Sequence, residues 1–249
     1  MPFERWSALN DKIIREKLSF KDIQDELLQV LESLDELRKV GGIEEGVYRQ
    51  KGNYFKNTII ALVQARCDVI LRERELIGRT DKHKVDFAFV NSRGVELYVV
   101  AGEAKMLGSP PHVRGDKQYP ERTISIDIDK RIKEVKYTPI DLKRRFSSNE
   151  IGDWQKWVDE SYPKFFSAWL LRLGAGNRLD HVISKLESIR EYNNAVGVAI
   201  YTEVDEKYQW VEIPPNSRLL NIDQFVEEIC REILQYRKAS KATLDSFMD

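Results

Sequence analysis

Two short stretches of this chain carry residues that could do chemistry together. Asp86 lies inside the apolar run Val85-Asp86-Phe87-Ala88-Phe89-Val90, and Gly102-Glu103-Ala104-Lys105 closes the run that begins at Val95. An acid in the middle of a strand is costly to bury unless it has a partner or a metal. Side chains alternate faces along a strand, so Glu103 and Lys105 point one way and Ala104 the other. If the two runs pair as a hairpin, two carboxylates and one ammonium converge near one sheet edge. Two carboxylates offer hard oxygen ligands to Mg²⁺, which keeps several waters and takes a substrate phosphate as well. The cation eases deprotonation of water and offsets charge developing on the phosphate. A lysine beside it can orient or help deprotonate the attacking water and stabilise the transition state. Hydrolysis of a phosphodiester is the reaction such a set serves. The competing reading is a plain Asp86–Lys105 salt bridge at a sheet edge.

Three further acid-x-Lys triplets occur: Glu134-Val135-Lys136, Asp141-Leu142-Lys143 and Asp205-Glu206-Lys207. Only Glu103-Ala104-Lys105 ends an apolar strand that follows a strand carrying its own acid. This arrangement resembles the PD-(D/E)xK nuclease superfamily, which includes many type II restriction endonucleases. The resemblance implies that Asp86 and Glu103 bind catalytic Mg²⁺, with Mn²⁺ as a substitute. It also implies that the main-chain carbonyl of Ala104 completes the metal shell and that Lys105 sits by the nucleophilic water. Val85 stands where the family often has Pro. Lys56 and Asn57 stand where many members carry an acid on the preceding helix, and Glu44 or Glu45 is the alternative acid. The implied activity is cleavage of double-stranded DNA at a short sequence, by a homodimer whose two-fold axis matches a palindromic site. The alternatives are a repair, recombination or mobile-element nuclease acting on structured DNA, and a non-catalytic DNA-binding protein with a relic site.

The elements that must hold these residues can be read from hydrophobic period. Apolar positions Ile23, Leu27, Val30, Leu34 and Leu37 predict a helix packed on the core within a helical extension over 1–42, with Ser19 and Asp22 capping it and Gly41-Gly42 closing it. Asn53 to Ala65 reads as a second helix. Strands are expected near 69–71, at 85–90 and at 95–105, with a turn at Asn91-Ser92-Arg93-Gly94. Residues 112–152 are polar with poor periodicity. Residues 153–173 read as helical on the spacing of Trp154, Trp157, Phe165, Phe166 and Trp169. A helix at 179–190, a buried strand at 195–201, a strand at 208–213 and a closing helix complete the chain. The sum is α/β, a mixed central β-sheet flanked by helices; the resemblance makes residues 45–205 a restriction-endonuclease-like core, with its last helix and strand at 179–190 and 195–201, within one nuclease domain spanning 1–249.

Composition limits the remaining possibilities. The 249 residues hold 40 Lys+Arg against 41 Asp+Glu, which excludes a generic polycation. No apolar run reaches the roughly 18 residues of a membrane helix, the N-terminus lacks the apolar core of a secretory signal, and two cysteines make no disulfide framework. A cytoplasmic protein is expected. Arg114 to Arg145 contains ten basic residues against six acids. DNA contacts are expected there, from Arg114, Lys117, Arg122, Lys130, Arg131, Lys143, Arg144 and Arg145. His83, His112 and His181 are too scattered for zinc, with a local role left open for His83 near Asp86. The aromatics of 154–169 read as core packing or a dimer surface.

Overall fold

A computed structural model describes residues 1–91, 97–122, 124–146 and 152–245. The chain opens with α1 (Pro2–Glu16) and α2 (Phe20–Lys39), then α3 (Glu45–Arg49) and α4 (Lys51–Cys67). Three strands follow, β1 (Arg72–Ile77), β2 (Lys82–Asn91) and β3 (Leu97–Leu107), then a small hairpin of β4 (His112–Arg114) and β5 (Lys117–Tyr119). The long α5 (Ile124–Arg144), the short α6 (Trp154–Glu160), β6 (Lys164–Leu173) and α7 (Leu179–Glu187) lead to β7 (Ala195–Val204), β8 (Lys207–Val211) and α8 (Ile222–Asp245). One six-stranded sheet runs in the order β1-β2-β3-β6-β7-β8. It is antiparallel from β1 to β3, parallel across β3, β6 and β7, and antiparallel again at β8. The turn expected at 92–94 and the start of the third strand lie outside the described residues. No described helix is long and apolar enough to cross a membrane.

Both faces of the sheet are covered, and this explains its sequence. Phe87, Val100, Ala104, Phe166 and Leu170 face α1, α2, α4 and α8, packing with Trp6, Leu27, Phe55 and Phe225. Val85, Ala88, Ala101, Leu107, Phe165, Trp169 and Leu171 face α5 and α7, packing with Ile128, Val135, Leu142 and Leu186. Strands buried on both faces read as continuous apolar runs. That is why 164–173 is the central strand β6 and the expected helix stops at Glu160. Aromatic spacing there fits either period, and Pro163 disfavours helix in the residue before it.

Two further expectations shift. Val69 and Leu71 are buried, but in the segment joining α4 to the sheet; pairing begins at Arg72, opposite Ala88. The polar stretch after residue 112 is ordered, as the β4–β5 hairpin and α5. Ile124, Ile128, Ile132, Val135 and Leu142 form the buried stripe of α5, with Pro139 inside the helix. The N-terminal helix divides in two at Lys17, which takes the left-handed conformation. Ser19 then caps α2: its hydroxyl accepts from Asp22 N, and the Asp22 carboxylate accepts from Ser19 N.

Asp141 ties α5 to the β1–β2 turn. Its carboxylate accepts from Thr80 N and Oγ1, Asp81 N and His83 Nε2, at 2.7–3.1 Å. Burial alone would raise this acid, but the Thr80 hydroxyl, His83 and the two amides bring it down to about 2. A depressed folded pKa stabilises above the unfolded value of 3.8 and is lost as pH falls through about 2. Asp141→Asn is therefore expected to lose about 2 kcal/mol in urea unfolding at neutral pH, with the deficit shrinking as pH falls from about 4 to about 2. An unchanged midpoint at neutral pH would show that Asp141 does not brace the turn.

Candidate active site

The site forms where β2 parts from its two neighbours. Toward β3, the ladder runs from Asn91 opposite Leu97 to Phe87 opposite Gly102 and ends there. Toward β1, Arg72 pairs with Ala88 but Arg74 pairs with Val85, so β2 carries an extra residue in a bulge at Asp86-Phe87. A bulge re-aims side chains and interrupts pairing. Asp86 occupies this junction, and its Oδ2 accepts the Ala104 amide at 2.9 Å. The carboxylate replaces the backbone acceptor that β2 no longer offers. The N–H and C=O of one strand residue leave on the same side, so the Ala104 carbonyl also faces the opening beside Asp86.

Gly102 makes the junction possible. A Cβ there would come within 2.5 Å of the Phe87 ring and of Phe166 O. Beyond it, Glu103 and Lys105 share the sheet face of Ala101 and Leu107, while Ala104 packs into the opposite core. Lys105 Nζ donates to Glu103 Oε2 at 2.5 Å and lies 3.9 Å from Asp86 Oδ2. Its nearer partner is Glu103, so the simple Asp86–Lys105 bridge does not describe the site. Glu103 is 8 % exposed. Burial pushes its carboxyl up to about 7; the Lys105 ammonium opposes this and the Asp86 carboxylate adds to it. The structure thus brings Asp86, Glu103 and Lys105 together.

The other expected site residues lie elsewhere. Glu45 carries three arginines: Arg49, Arg38 at 3.9 Å and Arg114 at 3.6 Å. Its carboxylate is occupied by those guanidiniums and not joined to Asp86 and Glu103. Lys56, on the helix position where an acid was sought, binds Glu73 of β1 at 2.7 Å, and Lys84 binds the same carboxylate at 2.8 Å. Hydrogen bonds from these two lysines lower Glu73 to about 2. His83 serves Asp141, and His112 meets Arg38 at 2.7 Å. Among the described residues, no three His, Cys, Asp or Glu side chains form a metal-binding group. Cys67 and Cys230 are free thiols.

The basic candidates divide by exposure. Lys143 is not a surface residue: it is 1 % exposed, and its ammonium donates to Val158 O, Ser161 O and Asn194 Oδ1. Arg145 is exposed, but its guanidinium is used on Ile77 O and the Tyr98 hydroxyl. Arg122 pairs with Asp127 and Arg131 with Glu134. Lys117, Lys130 and Arg144 are exposed without a side-chain partner among the described residues. Arg72 and Arg74 escaped the sequence reading. Their signal is the alternation Arg-Glu-Arg-Glu at 72–75, which sends two arginines to one strand face.

Compared with known proteins, the chain matches no family model, no curated protein and no solved structure.

Proposed function

We propose that this chain is a divalent-metal-dependent nuclease of the PD-(D/E)xK type, acting on the phosphodiester bonds of double-stranded DNA. The observation that carries the reading is the convergence of Asp86, Glu103 and Lys105 at the point where β2 leaves β3. Element order supports it. A helix, an antiparallel three-strand unit, a crossover helix and a parallel strand beside β3 (α4, β1–β3, α5, β6) follow the helix, strands, helix, strand order of that family's core; α5 and β6 take the places expected for 179–190 and 195–201, because the parallel neighbour of β3 is β6 and β7 lies one strand further out.

The donor set fits Mg²⁺ or Mn²⁺. Two carboxylates and one main-chain carbonyl are all hard oxygens, too few to close a shell and so compatible with waters and a substrate phosphate. A buried acid beside a second acid, with one ammonium between them, also has charge for a further cation to offset. When bound, the cation would supply Lewis-acid stabilisation of the phosphate and ease the ionisation of water. Asp86, Glu103 and the Ala104 carbonyl would hold it. Lys105 would orient the attacking water and offset negative charge on the phosphate. The water oxygen forms the new bond to phosphorus, the bond to the leaving oxygen breaks, and one proton passes in net from water to that leaving group.

A type II restriction enzyme is the specific form we propose, working as a homodimer on a palindrome. End mapping of a digested plasmid separates this from the repair or recombination form: cuts confined to one short sequence support it, and cuts at junctions or ends sink it.

Metal binding has its own readout. A ligand that binds only the folded state at 100 times its Kd adds about 2.7 kcal/mol of stability. Millimolar Mn²⁺ is expected to raise the unfolding temperature of the wild type and of Lys105→Ala, and to leave Asp86→Asn/Glu103→Gln unmoved. Equal shifts in all three would place the metal elsewhere. In cleavage assays with Mg²⁺, Lys105→Ala is expected to cut at least about 100-fold more slowly than the wild type. A wild type that cuts no DNA across varied substrates, or a Lys105→Ala that cuts as well as it, overturns the nuclease reading.

A further inference from the structure

Edge strand β1 carries charge that the Asp86–Glu103–Lys105 set does not use. Its glutamates are neutralised: Glu73 by Lys56 and Lys84, and Glu75 by Lys82 at 3.3 Å. Its arginines are not. Arg72 and Arg74 are exposed, and neither side chain has an ion pair, hydrogen bond or ring contact among the described residues.

Register settles where they point. Arg72 opposes Ala88 and Arg74 opposes Val85, and both partners belong to the core on the α5 face. Directly opposed residues project from the same side of the sheet, so both guanidiniums leave on the face that carries Glu103 and Lys105. Between Val85 and Ala88 lies the Asp86 bulge. The two arginines therefore bracket it from the neighbouring strand, whose Cα atoms lie about 5 Å away across a ladder.

The unpaired charge continues along the same side. Arg79 in the β1–β2 turn and Arg144 at the end of α5 are exposed and unpartnered among the described residues. They line, with Thr80 and Tyr137, a pocket of about 450 Å³. Asp141 fixes both walls of this pocket by joining the turn to the helix.

We propose that Arg72 and Arg74, continued by Arg79 and Arg144, form a phosphate-binding track that holds the backbone of duplex DNA along the edge strand and across the Asp86 bulge. The track rests on the nuclease reading of Asp86, Glu103 and Lys105. Guanidinium forks match phosphate oxygens bidentately and stay charged at any working pH. Such contacts fix register on the duplex without reading sequence, and they make affinity depend on salt. Charged edge strands also deter sheet-to-sheet association, and that role alone would leave DNA binding untouched when the arginines are replaced.

The test uses the full chain, a labelled duplex of about 20 base pairs and a chelator, so that binding is read without cleavage. Arg72→Gln/Arg74→Gln is expected to bind about tenfold more weakly than the wild type. Its plot of log affinity against log salt should be shallower by about 2, near one unit for each lost phosphate contact. Arg72→Lys/Arg74→Lys should recover the salt slope. Equal affinity and slope in the Gln variant overturn the track, as does a Lys variant that fails to recover. Undiminished cleavage by the Gln variant sinks the track and leaves the nuclease standing. A wild type that cuts nothing, yet loses binding with the two arginines, sinks the nuclease and leaves the track.

Discussion

A strand amide left without a neighbour must find another acceptor, and in this molecule one carboxylate meets that demand. Asp86 Oδ2 takes the Ala104 N–H where β2 turns away from β3. An unsatisfied buried donor costs about 1–3 kcal/mol, so the same side chain that shapes the candidate site also closes the end of the ladder. The bulge toward β1 frees Asp86 from one neighbour, and the end of the β3 ladder frees it from the other. Gly102 and the Phe87 ring occupy the last paired position and determine where the strands part.

The rest of the sheet anchors that junction. β3 is paired along its site residues with β6, Glu103 opposite Ser167 and Lys105 opposite Trp169. β6 is paired in turn with β7 and buried on both faces. Glu103 is thus attached to a strand enclosed on both faces, and its buried carboxyl is pushed up by that burial. Asp86 is attached to a strand that diverges, and it stays partly open. Two acids within reach of one lysine consequently have different surroundings, one set by the core and the other by the edge. A second ionic centre braces the far side: Arg172 of β6 binds Asp35 of α2, with Glu121 and Glu203 on its remaining nitrogens. Lys51 of α4 donates to Gly108 O just beyond the site strand. The N-terminal helices are therefore joined to the site strand through buried polar contacts as well as apolar packing.

Legibility in the sequence followed from how local the determining physics was. The Ser19–Asp22 cap, the Glu103/Lys105 alternation and the buried strand at 195–201 each depend on a few adjacent residues, and each could be read directly. β6 could not, because burial on both faces erases the two-residue period, and Trp and Phe spacing then mimics a helix. α5 was hidden because its apolar stripe is interrupted by charged residues and by Pro139. Lys143 looked like a surface charge; only the fold shows three oxygen acceptors, from Val158, Ser161 and Asn194, converging on its ammonium. For the site, residue types and faces were legible. The bulge that positions Asp86 was not, because it is a property of register between strands.

Charge balance takes on a different meaning at this resolution. A chain with 40 basic and 41 acidic residues is neutral on average, but an ion-paired lysine and an unpaired arginine do not present the same field. Much of the basic excess expected at 114–145 is neutralised locally, by Glu45, Asp127 and Glu134, or buried as Lys143. The glutamates of β1 are likewise matched to lysines on the opposite face, which leaves the arginines of that strand without counter-charge. Positive potential then depends on which cations lack an acid within about 4 Å. By that criterion the edge strand contributes Arg72 and Arg74 beside the Asp86 bulge, and the segment with the larger basic count contributes Lys117, Lys130 and Arg144, among the described residues.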